Sequence, residues 1–167
     1  MYFEIYSMSR KGQSKIREVL PDTKYNSIVV TKLINRVMYA GNKNAAQKQV
    51  YEALEIFKKE SKSEDIITTL EQALDNLKPK VEVRPRRIGG AVYQVPTPVR
   101  GSRQYSLAIR WLVISARKRP NKQFHTFAGK LAAELLATLN NEGASIMKRQ
   151  EIERMADANK AFAHLRW

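Results

Sequence analysis

A β-branched segment between residues 81 and 95 interrupts a sequence that is otherwise helical in pattern. It reads VEVRPRRIGGAVYQV, and two runs rich in valine around a Gly-Gly pair are typical of a β-hairpin. Pro85 and Pro96 lack the N–H that a central strand must donate, so neither run can lie inside a larger sheet. The sequence therefore predicts a separate two-stranded ribbon over about residues 81–99.

The predicted turn at Gly89 and Gly90 determines which residues of the ribbon face each other. It places Arg86 opposite Tyr93 and Arg84 opposite Val95, on one face. An isolated two-stranded ribbon is only marginally stable in water. We therefore expect it to pack against the helices or against a ligand.

Helical periodicity before and after the ribbon predicts a mainly α single domain, with the ribbon between the third and fourth of about six helices. Ser27 is the expected cap of the first helix and Gly41 its stop, Ser63 the cap of the third, and Pro79 the end of the third. Residues 140–145 are expected to form a loop. The expected helices cover about residues 27–40, 44–60, 63–78, 102–118, 123–140 and 149–164.

The apolar residues of two helices indicate which faces are buried. Those expected in the core are Ile28, Leu33, Ile34, Val37 and Met38 in the first helix, and Leu107, Trp111 and Ile114 in the fourth. Residues 1–20 lack such periodicity and are expected to form a basic arm, with the helical domain covering residues 21–167.

The charge of the chain is concentrated in blocks. The net charge is +14, and residues 79–122 hold 11 basic side chains against a single acidic one, Glu82. Residues 51–78 instead carry 4 basic and 7 acidic side chains. Blocks of one sign create a directed field that attracts polyanions, which favours nucleic acid as the partner.

Little in the sequence supports catalysis. There is no cysteine, and His125 and His164 do not have the spacing of metal ligands. Glu151, Glu153 and Asp157 would not converge on one helical face. We therefore expect no enzyme activity, no metal and no cofactor. The chain also has no apolar run of membrane-spanning length and no signal-peptide pattern, so a membrane role is not expected.

The ribbon is the feature that points most directly to nucleic acid, because such a ribbon fits a groove and arginine binds phosphates and stacks on bases. Tyr93 is a candidate for base stacking, although it could equally pack on the ribbon or helices. Arg103, Arg110 and Arg117 recur every seven residues and share one face of the fourth helix. These features leave two interpretations open, a ribosomal-RNA-binding protein and an architectural DNA-binding protein whose ribbon enters the minor groove.

Four segments in order resemble the bacterial and organellar form of the small-subunit ribosomal protein seven family. Residues 79–96 resemble its hairpin signature, PKVEVRPRRIGGAVYQVP. Tyr25 with residues 34–36 and 41–43 is similar to its first helix and turn. Residues 107–120 and 154–167 are similar to its fourth-helix segment and its C-terminal motif.

The resemblance implies a primary ribosomal-RNA-binding protein on the 3′ major domain of small-subunit ribosomal RNA, where it nucleates assembly of the subunit head. It also implies a position near the exit site for transfer RNA and the messenger path, with small-subunit ribosomal proteins nine and eleven as neighbours. The location would be the cytoplasmic ribosome of a bacterium or the ribosome of an organelle.

The resemblance and the charge pattern together name the residues that we expect to contact RNA. Motif matches imply contacts by Lys32, Asn35, Arg36, Lys43, Arg84, Arg86, Arg87, Arg110, Arg117, Lys118 and Arg119. General likeness to a basic arm adds Arg10, Lys11, Lys15 and Arg17, and the charge and ribbon patterns add Arg103 and Tyr93. The chain departs from the family at Asn42, where a second lysine is usual, and residues 1–7 precede a Met8 that resembles the family's usual start.

Overall fold

A computed structural model describes residues 18–63 and 65–165 of the chain. These residues form six α-helices, a β-hairpin between the third and fourth helices, and a short C-terminal 3-10 helix. The helices are α1 (Ile28–Val37), α2 (Lys43–Ser61), α3 (Ile66–Leu77), α4 (Ser102–Lys118), α5 (Phe127–Leu139) and α6 (Ala144–Ala158), the strands are β1 (Val81–Ile88) and β2 (Ala91–Pro98), and the 3-10 helix is Lys160–Leu165. The prediction of a mainly helical chain with a ribbon after the third helix is confirmed.

The core lies between the helices, where α2, α3 and α4 pack around α5. Phe57 of α2, Leu112 of α4 and Leu131 of α5 are completely buried there. Trp111 is 7% exposed, which confirms its predicted place in the core. No helix of the described residues is both long enough and apolar enough to cross a membrane.

Helix α1 ends three residues earlier than predicted, at Val37 rather than at Ala40. The reason is a tertiary contact, because Arg117 of α4 donates to the carbonyl oxygen of Val37 at 3.0 Å and satisfies a group that another helical turn would have used. Ser27 lies at the expected N-cap position, but its side chain makes no capping hydrogen bond. Met38 lies beyond the helix and is only half-buried.

Two residues predicted for the core are instead exposed. Ile28 of α1 is 48% exposed, since it lies seven residues before Asn35 and therefore on the same solvent-facing side. Ile114 of α4 is 41% exposed. It lies between Arg110 and Arg117 at spacings of four and three residues, and so belongs to the face that carries the arginines.

Helices α3 and α5 begin later than predicted, because other side chains cap them. Asp65, not Ser63, caps α3 by accepting a hydrogen bond from the N–H of Ile67 at 3.0 Å. Helix α5 begins at Phe127 rather than at Gln123, because the hydroxyl of Thr126 accepts from the N–H of Gly129 at 3.2 Å.

Helix α6 begins five residues before the predicted start at Arg149, inside the segment expected to be a loop. The buried carboxylate of Glu134 in α5 accepts from the N–H and the hydroxyl of Ser145 at 3.0 and 2.6 Å, which caps the new helix from a neighbouring element. Gly143 has a φ of +94°, and a Cβ there would lie 3.1 Å from a Glu134 oxygen. At the other end, α6 stops at Ala158, and Asn159 donates its side-chain amide to the carbonyl of Met155.

The ribbon has the register that the sequence predicts. Arg86 pairs with Tyr93 and Arg84 with Val95, and the turn glycines have φ values of +56° and +89°. Two consecutive positive φ values are the requirement of the tight turn that joins such strands. The base of the ribbon is buried at Val95, and its middle rests on the 3-10 helix, where the rings of Tyr93 and Phe162 lie 5.2 Å apart. The expectation that the ribbon packs against helices is confirmed.

Replacing Trp111 with Ala should lower the free energy of unfolding by about 3–5 kcal/mol, because the substitution leaves a cavity beneath α4. Ile114→Ala, on the exposed face of the same helix, is the matched control and should cost about 1 kcal/mol or less. Urea unfolding of both variants measures the difference. Equal losses of stability would contradict the assignment of the two faces.

Candidate nucleic-acid interface

The solvent-facing side of α4 carries a row of cations. Arg103, Arg110 and Arg117 are all exposed, as the seven-residue spacing predicts, and Lys118 extends the row at the end of the helix. Because the opposite side of α4 is buried in the core, the helix cannot rotate these side chains away from solvent. The row is therefore a fixed basic edge of the domain.

Glu82 joins the row on α4 to the ribbon. Its carboxylate accepts hydrogen bonds from Arg84 of the same strand at 2.6 Å and from Arg103 of α4 at 2.9 Å. Burial alone would raise the pKa of Glu82, but the hydrogen bonds and charges of Arg103 and Arg84 outweigh it and hold the pKa below its ordinary value. One carboxylate thus positions two arginines and leaves a net positive charge at the base of the ribbon.

A second junction connects α4 to α1. The hydrogen bond from Arg117 to the carbonyl of Val37 brings the last turn of α4 against the last turn of α1. Asn35 and Arg36 are exposed in that turn of α1, and Lys43 is exposed at the first position of α2. The predicted contact residues of the first helix and turn are therefore close to those of the fourth helix.

A third junction brings lysines from two elements to one tyrosine of α4. The ammonium of Lys78, at the end of α3, lies 3.6 Å from the ring centre of Tyr105, and that of Lys32 in α1 lies 6.0 Å from it. Burial works against the charged form of Lys78, but hydrogen bonds with Asp75 and Tyr105 raise its pKa above the ordinary value. The sequence did not indicate Lys78, because the tyrosine that it contacts lies on a different helix.

The ribbon presents two of its three arginines to solvent. Arg84 and Arg87 are exposed, and Arg86 is half-buried. Tyr93 packs against Phe162, so the structure supports the packing alternative for its ring, and base stacking by Tyr93 stays a prediction.

Arg119 is half-buried and forms an ion pair with a buried carboxylate. Its guanidinium donates to the buried carboxylate of Glu134 at 2.7 Å and to the carbonyl of Ala133 at 3.3 Å. It therefore ties the end of α4 to α5 and α6, and a contact with RNA stays a prediction. Arg10, Lys11, Lys15 and Arg17 lie outside the described residues.

Glu82 is the functional residue that the sequence reasoning missed. Its signal was present in the charge pattern, because it is the one acidic residue among residues 79–122. An isolated carboxylate in a basic block is expected to organise the cations around it rather than to face solvent alone.

Two of the three carboxylates of α6 lie close to cations of the same helix. Glu151 accepts from Lys148 at 2.7 Å, and Glu153 lies 3.8 Å from the guanidinium of Arg149. Within residues 18–63 and 65–165, no group of three or more His, Cys, Asp or Glu side chains is placed to hold a metal ion.

Comparison with known proteins decides the family. Residues 9–160 match the family described as ribosomal protein S7p/S5e. The chain belongs to this family. A protein named small ribosomal subunit protein uS7 from Caldicellulosiruptor bescii is 53% identical over 160 residues, which are 96% of this chain and 100% of the relative. Proteins of the same name from Bradyrhizobium sp. and Stenotrophomonas maltophilia are 50% and 51% identical over the same shares of both chains.

The family expected from the four sequence motifs is therefore confirmed. It is a family of structural ribosomal proteins rather than enzymes. This ribosomal protein thus carries exposed cations on the ribbon, α4 and α1, three elements that its fold holds together through Glu82 and Arg117.

Glu82→Gln should reduce stability in a pH-dependent way. Because the folded pKa of Glu82 is depressed, its contribution is fully present above the unfolded pKa of about 4.3 and is lost as the pH falls through the lower folded pKa. We expect the parent to exceed the variant by roughly 1–2 kcal/mol near pH 7, since both arginines are half exposed and screened by solvent. The difference should shrink below about pH 4.

Urea unfolding across a pH series measures this difference, and Glu71→Gln on the exposed face of α3 is the matched control for the loss of one carboxylate. A difference between the parent and Glu82→Gln that stays constant or grows on acidification would contradict the proposed role of the carboxylate.

Proposed function

We propose that this chain is a structural protein of the small ribosomal subunit that binds small-subunit ribosomal RNA directly and nucleates assembly of the subunit head. The observation that carries the proposal is the exposed run of cations along the ribbon, α4 and α1 in a member of a ribosomal protein family. The names of the relatives support the small subunit as the particle.

The chemistry of this surface suits a folded RNA. Arginine and lysine side chains neutralise phosphates and release their counterions, which supplies affinity without reading sequence. Cations that span three elements can bind phosphates from several RNA strands at once. A protein that joins strands in this way stabilises a folded RNA domain, as an early assembly protein must.

The finer parts of the proposal come from the family resemblance. They are binding to the 3′ major domain, a position near exit-site transfer RNA and the messenger path, and small-subunit ribosomal proteins nine and eleven as neighbours. The basic residues of the predicted arm, residues 1–20, would add phosphate contacts, and the particle would be the ribosome of a bacterial cytoplasm or of an organelle.

In the architectural DNA-binding alternative, the same ribbon enters the minor groove of duplex DNA. Filter binding distinguishes the two functions, with a folded fragment of small-subunit ribosomal RNA and a random DNA duplex as ligands. We expect tighter binding to the RNA at physiological salt, with a logarithmic salt slope of about −0.7 to −0.9 per phosphate contact. Equal or tighter binding to the duplex would reject the ribosomal RNA proposal.

A charge-matched pair of variants tests the location of the interface. Replacing Arg36, Arg110 and Lys118 with Ala removes three exposed cations of α1 and α4. Affinity for the RNA fragment should fall about tenfold or more, and the salt slope should become shallower by about 2. Replacing Lys58, Lys59 and Lys62 at the end of α2 removes the same charge elsewhere and should leave the slope nearly unchanged. Equal effects of the two triple variants would contradict this interface.

A further inference from the structure

An open cleft of about 300 Å³ lies where α1, α2, α4 and α5 meet. Val37 and Ala46 form its buried apolar floor, and Phe127 of α5 forms one wall. Arg117 lines the cleft and is held there by its hydrogen bond to the carbonyl of Val37. A site with apolar walls and a few fixed polar groups is the kind that binds a flat organic ligand.

Two residues at the cleft have chemistry that the fold does not use. Tyr39 is 80% exposed, although an aromatic ring usually packs against other apolar groups, and it lies in the turn between α1 and α2. Asn42 occupies the N-cap of α2, but its side chain makes no capping hydrogen bond. The ring and the amide are thus free to contact a ligand in the cleft.

The positive charge around the cleft indicates which class of ligand binds there. Arg36, Lys43 and Lys118 are exposed, and each is next in sequence to a residue that lines the cleft. A phosphodiester chain bound by these cations would pass over the opening. Unpaired bases of bound RNA commonly stack on aromatic rings or guanidinium groups and hydrogen-bond through their edges.

We infer that this cleft binds one unstacked nucleobase of the RNA. Tyr39 supplies the stacking ring, Arg117 the guanidinium on the wall, and Asn42 an amide for the edge of the base. The inference rests on the proposed function and adds a base contact to an interface otherwise built from phosphate contacts. Neither the charge pattern nor the family motifs assigned a role to Tyr39.

Two variants test the cleft without changing the charge of the protein. Tyr39→Ala removes the stacking ring, and Ala45→Leu fills the cleft from an exposed position on α2. Ala158→Leu, at an exposed helical position on α6, is the control for added apolar volume. Thermal melting of all three establishes that they fold.

Affinity for a folded fragment of small-subunit ribosomal RNA is then measured across a salt series. We expect Tyr39→Ala to bind about 5- to 150-fold more weakly, the range for loss of one base–aromatic stack. Ala45→Leu should also weaken binding, and Ala158→Leu should not. The salt slope should stay that of the parent in both cleft variants, because no phosphate contact is removed.

Base-specific chemical probing of the same complexes locates the base. In the parent complex, one unpaired base should change its reactivity on binding, and that change should be absent with either cleft variant. If both variants bind the RNA with the affinity of the parent and give the same base reactivities, the inference is overturned. The cleft would then be a site for a side chain of another protein. Weaker binding with a shallower salt slope would also overturn it, since displaced cations would then be the cause. If the parent itself fails to bind the RNA, the proposed function fails together with this inference.

Discussion

The carboxylate of Glu82 lies buried at the base of the ribbon, where Arg84 and Arg103 donate hydrogen bonds to it. A buried carboxylate without those cations would carry a large desolvation cost, so the three side chains must stay together. This requirement places the first turn of α4 against the base of the ribbon. This contact, together with packing of the ribbon against α6 and the 3-10 helix, sets the direction in which the ribbon leaves the helical domain and the position of its exposed arginines.

The other basic elements are attached by contacts of the same kind. Arg117 ties α4 to the end of α1, and Lys78 and Lys32 approach Tyr105 from α3 and α1. The fold therefore positions the cations before any ligand arrives, which lowers the entropy lost on binding. A domain with separate flexible cations would lose more side-chain freedom for each phosphate bound. Preorganised charge therefore favours the binding of RNA that we propose.

The sequence predicted correctly those parts of the fold that depend on interactions between residues close together in the chain. The register of the ribbon followed from Gly89 and Gly90, because their positive φ values and the alternation of the strands leave one pairing. The ends of helices followed less well, since distant side chains complete them: Arg117 at the end of α1 and Glu134 at the start of α6. For the same reason the sequence indicated the cations of the interface but not their partners, and it gave no sign of the cleft beside Tyr39. Ile114 was wrongly predicted to lie in the core because it is apolar. Its position between Arg110 and Arg117 places it on the exposed face of α4.

In the arrangement that we propose, RNA lies along the ribbon, α4 and the end of α1. Ultraviolet cross-linking of the bound protein to small-subunit ribosomal RNA, followed by mass spectrometry of the modified peptides, tests it most directly. We expect cross-links concentrated in peptides that contain residues 32–43, 84–93 and 103–119, with few in the acidic segment of residues 51–78. Cross-links concentrated in that acidic segment, with those three regions unmodified, would contradict it.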